Sequence, residues 1–446
     1  MKRILIDLTD LELWSGHHGG TQRVVYGIAS NYYLHQESLD DKVVFIAFSA
    51  RHKRFYETSF KPIYERVESL KAATPTSVSA TPSLKGRLKH GIRPFVPKIV
   101  RRNDAAKKMV RGSMKVVRHT VVAVRAGSSS RRLKIGNSSN GQVVFSRNDT
   151  VLMLGKPWDD LNIQKKLTEE KSKTNFKLVQ VVYDLIIPLY PNLHHPDIFA
   201  AYTQHMFEAV ATSDLLLPIS NSSANDLRKF CKRLSLPIPE IKVIRLGDEI
   251  IDIVSKKKPD QRIKEDFIAC VGTVEIRKNH TLLFYAYKLG LERGLELPQL
   301  VIVGGKGWLT GDLQYILKND PALKDKIIIL NNINDSGLSW IYENCRFTVY
   351  PSMYEGWGLP VAESLAHGKM CVASKSSSIP EIAGELIDYF SPYNSEECLN
   401  VISRHLDASL VQSKEQAIKA KYGITTWNDT FNFVNKSISS LQTKLD

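Results

Sequence analysis

The sequence predicts an α/β protein built from two doubly wound domains, and three observations carry that reading. Short apolar runs rich in Val, Ile and Leu recur without alternation, the mark of strands buried on both faces of a parallel sheet. Stretches with helical spacing, such as Thr281–Arg293 and Pro360–His367, lie between those runs. The alternation also comes in two blocks, which predicts two domains. A length of 446 residues allows two to three domains, and a hydrophobic content of 43% is enough for a sizeable core.

The first block supplies candidate strands at Arg3–Leu8, Val43–Phe48, Val151–Leu154, Leu178–Tyr183, Leu215–Ile219 and Lys242–Leu246. The second supplies Phe267–Val271, Leu300–Val303, Ile327–Leu330, Phe347–Tyr350 and Met370–Ala373. The break falls near Gly247–Glu265, where Lys256-Lys257-Lys258-Pro259-Asp260 reads as a solvated connector. The expected domains are therefore 1–250 and 263–422. Residues 423–446 form a C-terminal helix, periodic over Trp427–Leu441, that crosses back onto the first domain.

The apolar run at the N-terminus ends at Asp7, which makes it a first core strand and not a signal peptide. No window approaches 18 uncharged apolar residues, so no spanning helix is expected. The five cysteines (Cys231, Cys270, Cys345, Cys371 and Cys398) have no CxxC spacing and read as reduced thiols of a cytosolic protein.

The chain holds 61 Lys and Arg against 46 Asp and Glu, a surplus of +15. Between Lys85 and Lys134 there are 16 Lys or Arg and one acid, Asp104, so this stretch accounts for the whole surplus. A formally neutral protein carries one basic insertion, spanning about 69–140, in its first block. That excludes a surface built throughout to coat nucleic acid. Within the insertion Ala106, Val110, Met114, Val117, Val121 and Val124 recur at spacings of three and four, one apolar stripe on a basic helix. Such a helix suits an anionic membrane surface. It also reads as a helix packed on its own domain with a solvated basic face. Nucleic acid is disfavoured as its partner because aromatic side chains for base stacking are nearly absent.

The chemistry concentrates in Tyr350-Pro351-Ser352-Met353-Tyr354-Glu355-Gly356-Trp357-Gly358-Leu359-Pro360, followed by Glu363. A buried strand runs into a loop with two glycines and then into a helix with Pro360 in its first turn, a position for which proline is pre-shaped. Gly356 and Gly358 let backbone amides approach a ligand closely. The amides at the helix start favour an anion such as phosphate. Glu355 and Glu363 can both face the crevice, where carboxylates accept hydrogen bonds from the hydroxyls of a sugar or ribose. Taken alone, Glu363 also reads as a complement to the helix dipole, and Glu355 as a solvated loop residue.

The spacing from Glu355 to Glu363 resembles the glutamate-x7-glutamate signature of glycosyltransferase family 4. Further segments resemble that family: Val271-Gly272-Thr273-Val274-Glu275-Ile276-Arg277-Lys278-Asn279-His280, Val301-Ile302-Val303-Gly304-Gly305, and Ser376-Ser377-Ser378-Ile379-Pro380-Glu381. In the first block the likeness is looser, through Gly19-Gly20-Thr21-Gln22-Arg23-Val24-Val25 and Val182-Tyr183-Asp184. Where many members have His-Asp, this chain has Tyr183 before Asp184.

The resemblance implies the GT-B arrangement, two Rossmann-like domains facing a cleft, here with a basic helical insertion and a C-terminal crossover helix. It implies transfer of a sugar from a nucleotide diphosphate sugar, with retention and without an essential metal. It assigns catalytic roles to Glu355, Asp184, Arg277 and Lys278, the two cations holding the donor diphosphate. It assigns donor binding to Glu363, Gly356, Gly358, Leu359, Gly19, Gly20, Thr21 and Gly272. Similarity to bacterial O-antigen and capsule enzymes makes mannose from GDP-mannose the first choice of donor. The acceptor expected is a glycan or a lipid-linked glycan at the anionic cytoplasmic face of the inner membrane, reached through residues 85–134. UDP-sugar donors, an epimerase of the same fold and a non-catalytic nucleotide-sugar-binding or membrane module are the alternatives.

Overall fold

The structure is a computed structural model that describes residues 2–12, 20–72, 141–249 and 256–443. Gly19, His17, His18 and the basic stretch 85–134 lie outside the described residues.

The first domain is a seven-stranded sheet: β1 (Arg3–Asp7), β2 (Lys42–Ser49), β3 (Arg54–Glu57), β4 (Asp149–Met153), β5 (Lys177–Val182), β6 (Leu215–Pro218) and β7 (Glu240–Ile241). Its strand order is β3-β2-β1-β4-β5-β6-β7. All pairs are parallel except β2 with β3. The second domain is an all-parallel sheet of β8 (Phe267–Val271), β9 (Gln299–Val303), β10 (Ile327–Leu330), β11 (Thr348–Tyr350), β12 (Cys371–Ser374) and β13 (Asp388–Phe390). Its order is β10-β9-β8-β11-β12-β13. Helices connect the strands, as parallel pairing requires. Every residue of β4 and β9 is buried, which is why these runs show no alternation.

Three elements depart from the sequence reading. β3 and β13 were not expected; both are short edge strands whose exposed or polar positions dilute the apolar signal. The run Lys242–Leu246 is not a strand, and the ladder occupies only Glu240–Ile241. Two further bonds continue the pairing, Lys242 N–H to the Leu216 carbonyl (3.1 Å) and Ile244 N–H to the Pro218 carbonyl (2.9 Å), before the chain leaves the edge. The start placed at about 69 for the insertion falls inside a helix, Lys61–Ala72.

The last helix, Trp427–Thr443, packs on the helix Gly20–His35 of the first domain. Phe431 meets Tyr32 edge to face at 4.8 Å. The Trp427 indole packs directly on the backbone at Gly27 and Gly247, where any side chain would collide with it: a Cβ on Gly247 would sit 2.6 Å from the ring. Asp248 is buried and ties this crossover to the domain junction, accepting from Thr425 N–H (2.7 Å) and from the Tyr422 hydroxyl. The five cysteines are all buried and free. No helix of the described residues is long and apolar enough to cross a membrane.

Candidate active site

In each sheet the order reverses beside the first strand of its block, between β1 and β4 and between β8 and β11. Open parallel sheets bind ligands in the crevice at such a switch point, outside the carboxyl ends of the strands. The loop after β8 carries Gly272 to Lys278, and the loop after β11 carries Pro351 to Gly358. Strand order thus brings Arg277 and Lys278 against Glu355.

Glu355 is only 6% exposed. Its carboxylate is ion-paired to Arg277 Nη1 (2.7 Å) and Lys278 Nζ (2.7 Å). It also accepts from the Tyr350 hydroxyl (2.9 Å) and from the Ser352 hydroxyl. Burial alone would raise its pKa, but the two cations and these donors hold it down at about 2. Arg277 also bonds Glu275 (2.7 Å) and the Tyr354 carbonyl (2.7 Å). Burial works against the Arg277 charge; Glu355 and Glu275 more than offset it and hold the pKa above its usual value. Burial lowers Lys278 despite Glu355, and Lys278 also donates to the Tyr350 hydroxyl at 2.6 Å. The result is a buried cluster of two cations and two carboxylates. Ser377 and Ser378 fix the loop backbone: Glu355 N–H donates to Ser377 Oγ (2.8 Å), and the Ser378 hydroxyl donates to the Glu355 (3.0 Å) and Trp357 (2.5 Å) carbonyls.

Gly358 has φ +122°, the left-handed side that favours glycine, and it turns the loop into the helix Leu359–Ala366. Glu363 lies on that helix and accepts from Tyr342 Oη at 2.7 Å. Its other oxygen is ion-paired to Arg23, which projects from the helix Gly20–His35 of the first domain. Asp335 stands 3.8 Å from the same guanidinium. Glu355 and Glu363 are thus engaged by different cations, Glu355 by Arg277 and Lys278 and Glu363 by Arg23.

The first domain closes over this loop. A Cβ on Gly356 would collide with the Tyr183 carbonyl oxygen and stand 3.0 Å from Asp184 Cβ. Ser223 Oγ donates to the Tyr183 carbonyl (3.0 Å) and to the Gly356 carbonyl (3.3 Å), bridging the domains. Gly20 faces Leu359, with a Cβ position 3.4 Å from Leu359 Cδ1, and Thr21 follows in the first turn of the same helix. Asp184 is half-buried, and its carboxylate accepts from Ile186 N–H at 2.9 Å. Burial raises its pKa while the nearby Arg277 opposes that. Glu381 joins the domains again, accepting from Asn221 N–H (2.8 Å) and Ser222 N–H (2.6 Å).

Tyr183, at the place where many family members have histidine, is committed elsewhere: its hydroxyl donates to the Leu154 carbonyl at 2.5 Å. His194 stands instead near Arg277, its ring 5.7 Å from Trp308, and burial with that cation lowers its pKa to about 4. Sequence reasoning did not single out Arg23, Tyr342, Glu275 or Ser223. Arg23 had a signal, since it lies on the helix that opens at Gly20. Tyr342 and Ser223 have meaning only once the fold brings them to Glu363 and to the Tyr183 and Gly356 carbonyls, and Glu275 only once the turn sets it against Arg277. Among the described residues no group of three or more His, Cys, Asp or Glu is arranged to hold a metal ion.

Comparison with known proteins gives the same architecture. Residues 253–423 match the family described as glycosyl transferases group 1. O-antigen chain mannosyltransferase B of Escherichia coli is 26% identical over 256 residues, 56% of this chain and 65% of that protein. The serotype-specific mannosyltransferase WbdA of Escherichia coli is 24% identical over 277 residues, 60% of this chain and 34% of that protein. A solved Anabaena protein, HepE, determined in complex with UDP and glucose, has a TM-score of 0.55 at 16% identity, covering 99% of this chain and 100% of that one. The chain thus has the GT-B fold, and residues 253–423 match the model of the group 1 glycosyl transferases.

Proposed function

We propose that the protein is a retaining glycosyltransferase that moves a hexose from a nucleotide diphosphate sugar to a glycan or lipid-linked glycan in bacterial surface polysaccharide synthesis. The first choice is mannose from GDP-mannose, a reading supported by the mannosyltransferase names of its relatives. The observation that carries the proposal is the pair Arg277 and Lys278, held around Glu355 at the switch point beside the helix that begins at Leu359.

A leaving nucleotide diphosphate needs fixed positive charge where its negative charge develops. Arg277, Lys278 and the first amides of the Leu359–Ala366 helix offer it. In the unliganded protein Glu355 balances both cations. A bound diphosphate shares them, which frees the Glu355 oxygens for the donor sugar hydroxyls. Glu363 would take the ribose hydroxyls in place of Arg23, and the amides of Gly20 and Thr21, at the start of their helix, would approach the phosphates.

A thermal-shift screen across GDP-, UDP- and dTDP-sugars tests this. The proposal expects stabilisation by one nucleotide-sugar class, GDP-mannose first, and acceptor-dependent release of the nucleotide. Stabilisation by none of them would refute it; release without acceptor would mark the epimerase. A place on the cytoplasmic side of the membrane is also proposed, from the composition of residues 85–134, where each Lys or Arg near an anionic surface adds about 1 kcal/mol. Deleting 85–134 should release the protein from anionic vesicles; a deletion protein that still pellets with them contradicts the membrane role.

A further inference from the structure

Arg23 and Glu363 meet across the two domains, 340 positions apart in the chain. Their ion pair sits beside two helix starts that face each other. Gly20 opens the helix Gly20–His35 and lies against Leu359, which opens the helix Leu359–Ala366. Arg23 is three residues into the first helix and Glu363 four into the second, about one turn in each case. The pair therefore closes the gap one turn beyond the Gly20–Leu359 contact, next to the helix start proposed to receive the donor phosphates.

Both oxygens of Glu363 are engaged. Oε2 accepts from the Tyr342 hydroxyl at 2.7 Å, and Oε1 from Arg23 Nη1. The two partners differ in how readily they can yield. Tyr342 is 2% exposed, its ring is stacked on His367 at 5.0 Å, and it belongs to the same domain as Glu363. Arg23 reaches in from the other domain on a long side chain that is 27% exposed. It thus covers the oxygen that faces the cleft. A second carboxylate, Asp335, already stands 3.8 Å from Arg23 Nη2. Moving off Glu363 leaves the guanidinium beside Asp335, so the exchange does not strand a charge without a counter-ion. The vicinal hydroxyls of a ribose can donate to a carboxylate once its open side is clear.

We propose that the Arg23–Glu363 ion pair is a latch on the empty donor site: Arg23 holds the cleft-facing oxygen of Glu363 until the ribose hydroxyls displace it towards Asp335. The inference rests on the donor-site reading of Glu363 and adds to it a residue that sets donor affinity. A site that is open for only a fraction of the time binds with an affinity reduced by that fraction. A latch shut about nine-tenths of the time lowers affinity about tenfold, and its removal restores that factor. Arg23 thereby differs in sign from Arg277 and Lys278. Those two cations hold the donor, so their loss weakens binding, whereas loss of Arg23 tightens it.

The test is calorimetric titration of the full chain with GDP and with UDP, for the wild type, Arg23→Ala, Glu363→Gln and the double variant. Arg23→Ala should bind the preferred nucleotide about fivefold or more tighter than the wild type. In the Glu363→Gln background, where the ion pair no longer exists, the same change should alter affinity by less than about twofold. A variant that gains affinity is folded, so damage to the fold cannot imitate this result. Weaker or unchanged binding by Arg23→Ala would overturn the latch, and so would an equal gain in the Glu363→Gln background. A wild type that binds neither nucleotide would refute the donor-site reading itself.

Discussion

Lys278 Nζ lies 2.7 Å from Glu355 Oε1, and both side chains are almost wholly out of water. With Arg277 on the other oxygen, one carboxylate neutralises two buried cations. Removing one partner of such an arrangement leaves uncompensated buried charge, at a cost of about 3–5 kcal/mol. Glu355→Gln should therefore lower unfolding free energy by about that amount, read from denaturant midpoints at neutral pH. A loss below about 1 kcal/mol would mean that the cluster is open to water, as exposed pairs are.

The same carboxylate gives a pH dependence of defined sign. Its pKa is about 2 in the folded protein against an ordinary 4.5. A depressed acid contributes stability that is fully present above its unfolded pKa and is lost as pH falls through the folded one. The stability gap between wild type and Glu355→Gln should shrink as pH falls from about 4.5 to about 2. A gap that stays constant through that window would show that Glu355 is not held ionised by its neighbours.

Gly356 of the second domain packs against Tyr183 and Asp184 of the first with no room for a side chain. Gly356→Ala should push them apart instead of unfolding either one, because the added methyl meets the other domain. A misplacement of about 1 Å between the groups of a catalytic site costs about 10²-fold in rate. The expected result is a fall in kcat/KM of that order, a larger radius of gyration in solution scattering and little change in melting temperature. Full activity in this variant would contradict the closed arrangement as the working one.

Gly27 lies under the Trp427 indole, where a Cβ would collide with the ring. Gly27→Ala should cost about 1–3 kcal/mol through overpacking. Trp427→Ala should cost about 2 kcal/mol or more, since the ring is only half-buried. In the double variant the clash is gone, so the losses should fall short of additive by about 1–2 kcal/mol. Strict additivity in that cycle would show that the last helix is not seated through this contact.

Much of this site was legible from the sequence because it resides in contiguous segments. The loop from Tyr350 to Pro360 holds a strand, two glycines, a carboxylate and a helix start in eleven residues, and each has a local physical meaning. The core strands were legible for the same reason, since Phe267–Val271 and Leu300–Val303 are unbroken apolar runs. What could not be read is what pairs across the chain. Glu355 looked open to a sugar, yet its oxygens are filled by Arg277 and Lys278, 78 and 77 positions away, because strand order sets β8 beside β11. Arg23 finds Glu363 across 340 positions, a relation no local pattern encodes. The edge strands β3 and β13 escaped because a strand with one neighbour needs no continuous apolar run.

The central claim is that Arg277 and Lys278 stabilise the charge that develops on a departing nucleotide diphosphate. The most direct measurement is single-turnover transfer by Arg277→Ala, Lys278→Ala and the double variant, with the nucleotide sugar that stabilises the wild type most. Each single change should slow transfer by about 10²-fold or more, as loss of such a charge-stabilising group does. A double variant that transfers sugar at the wild-type rate would contradict the account.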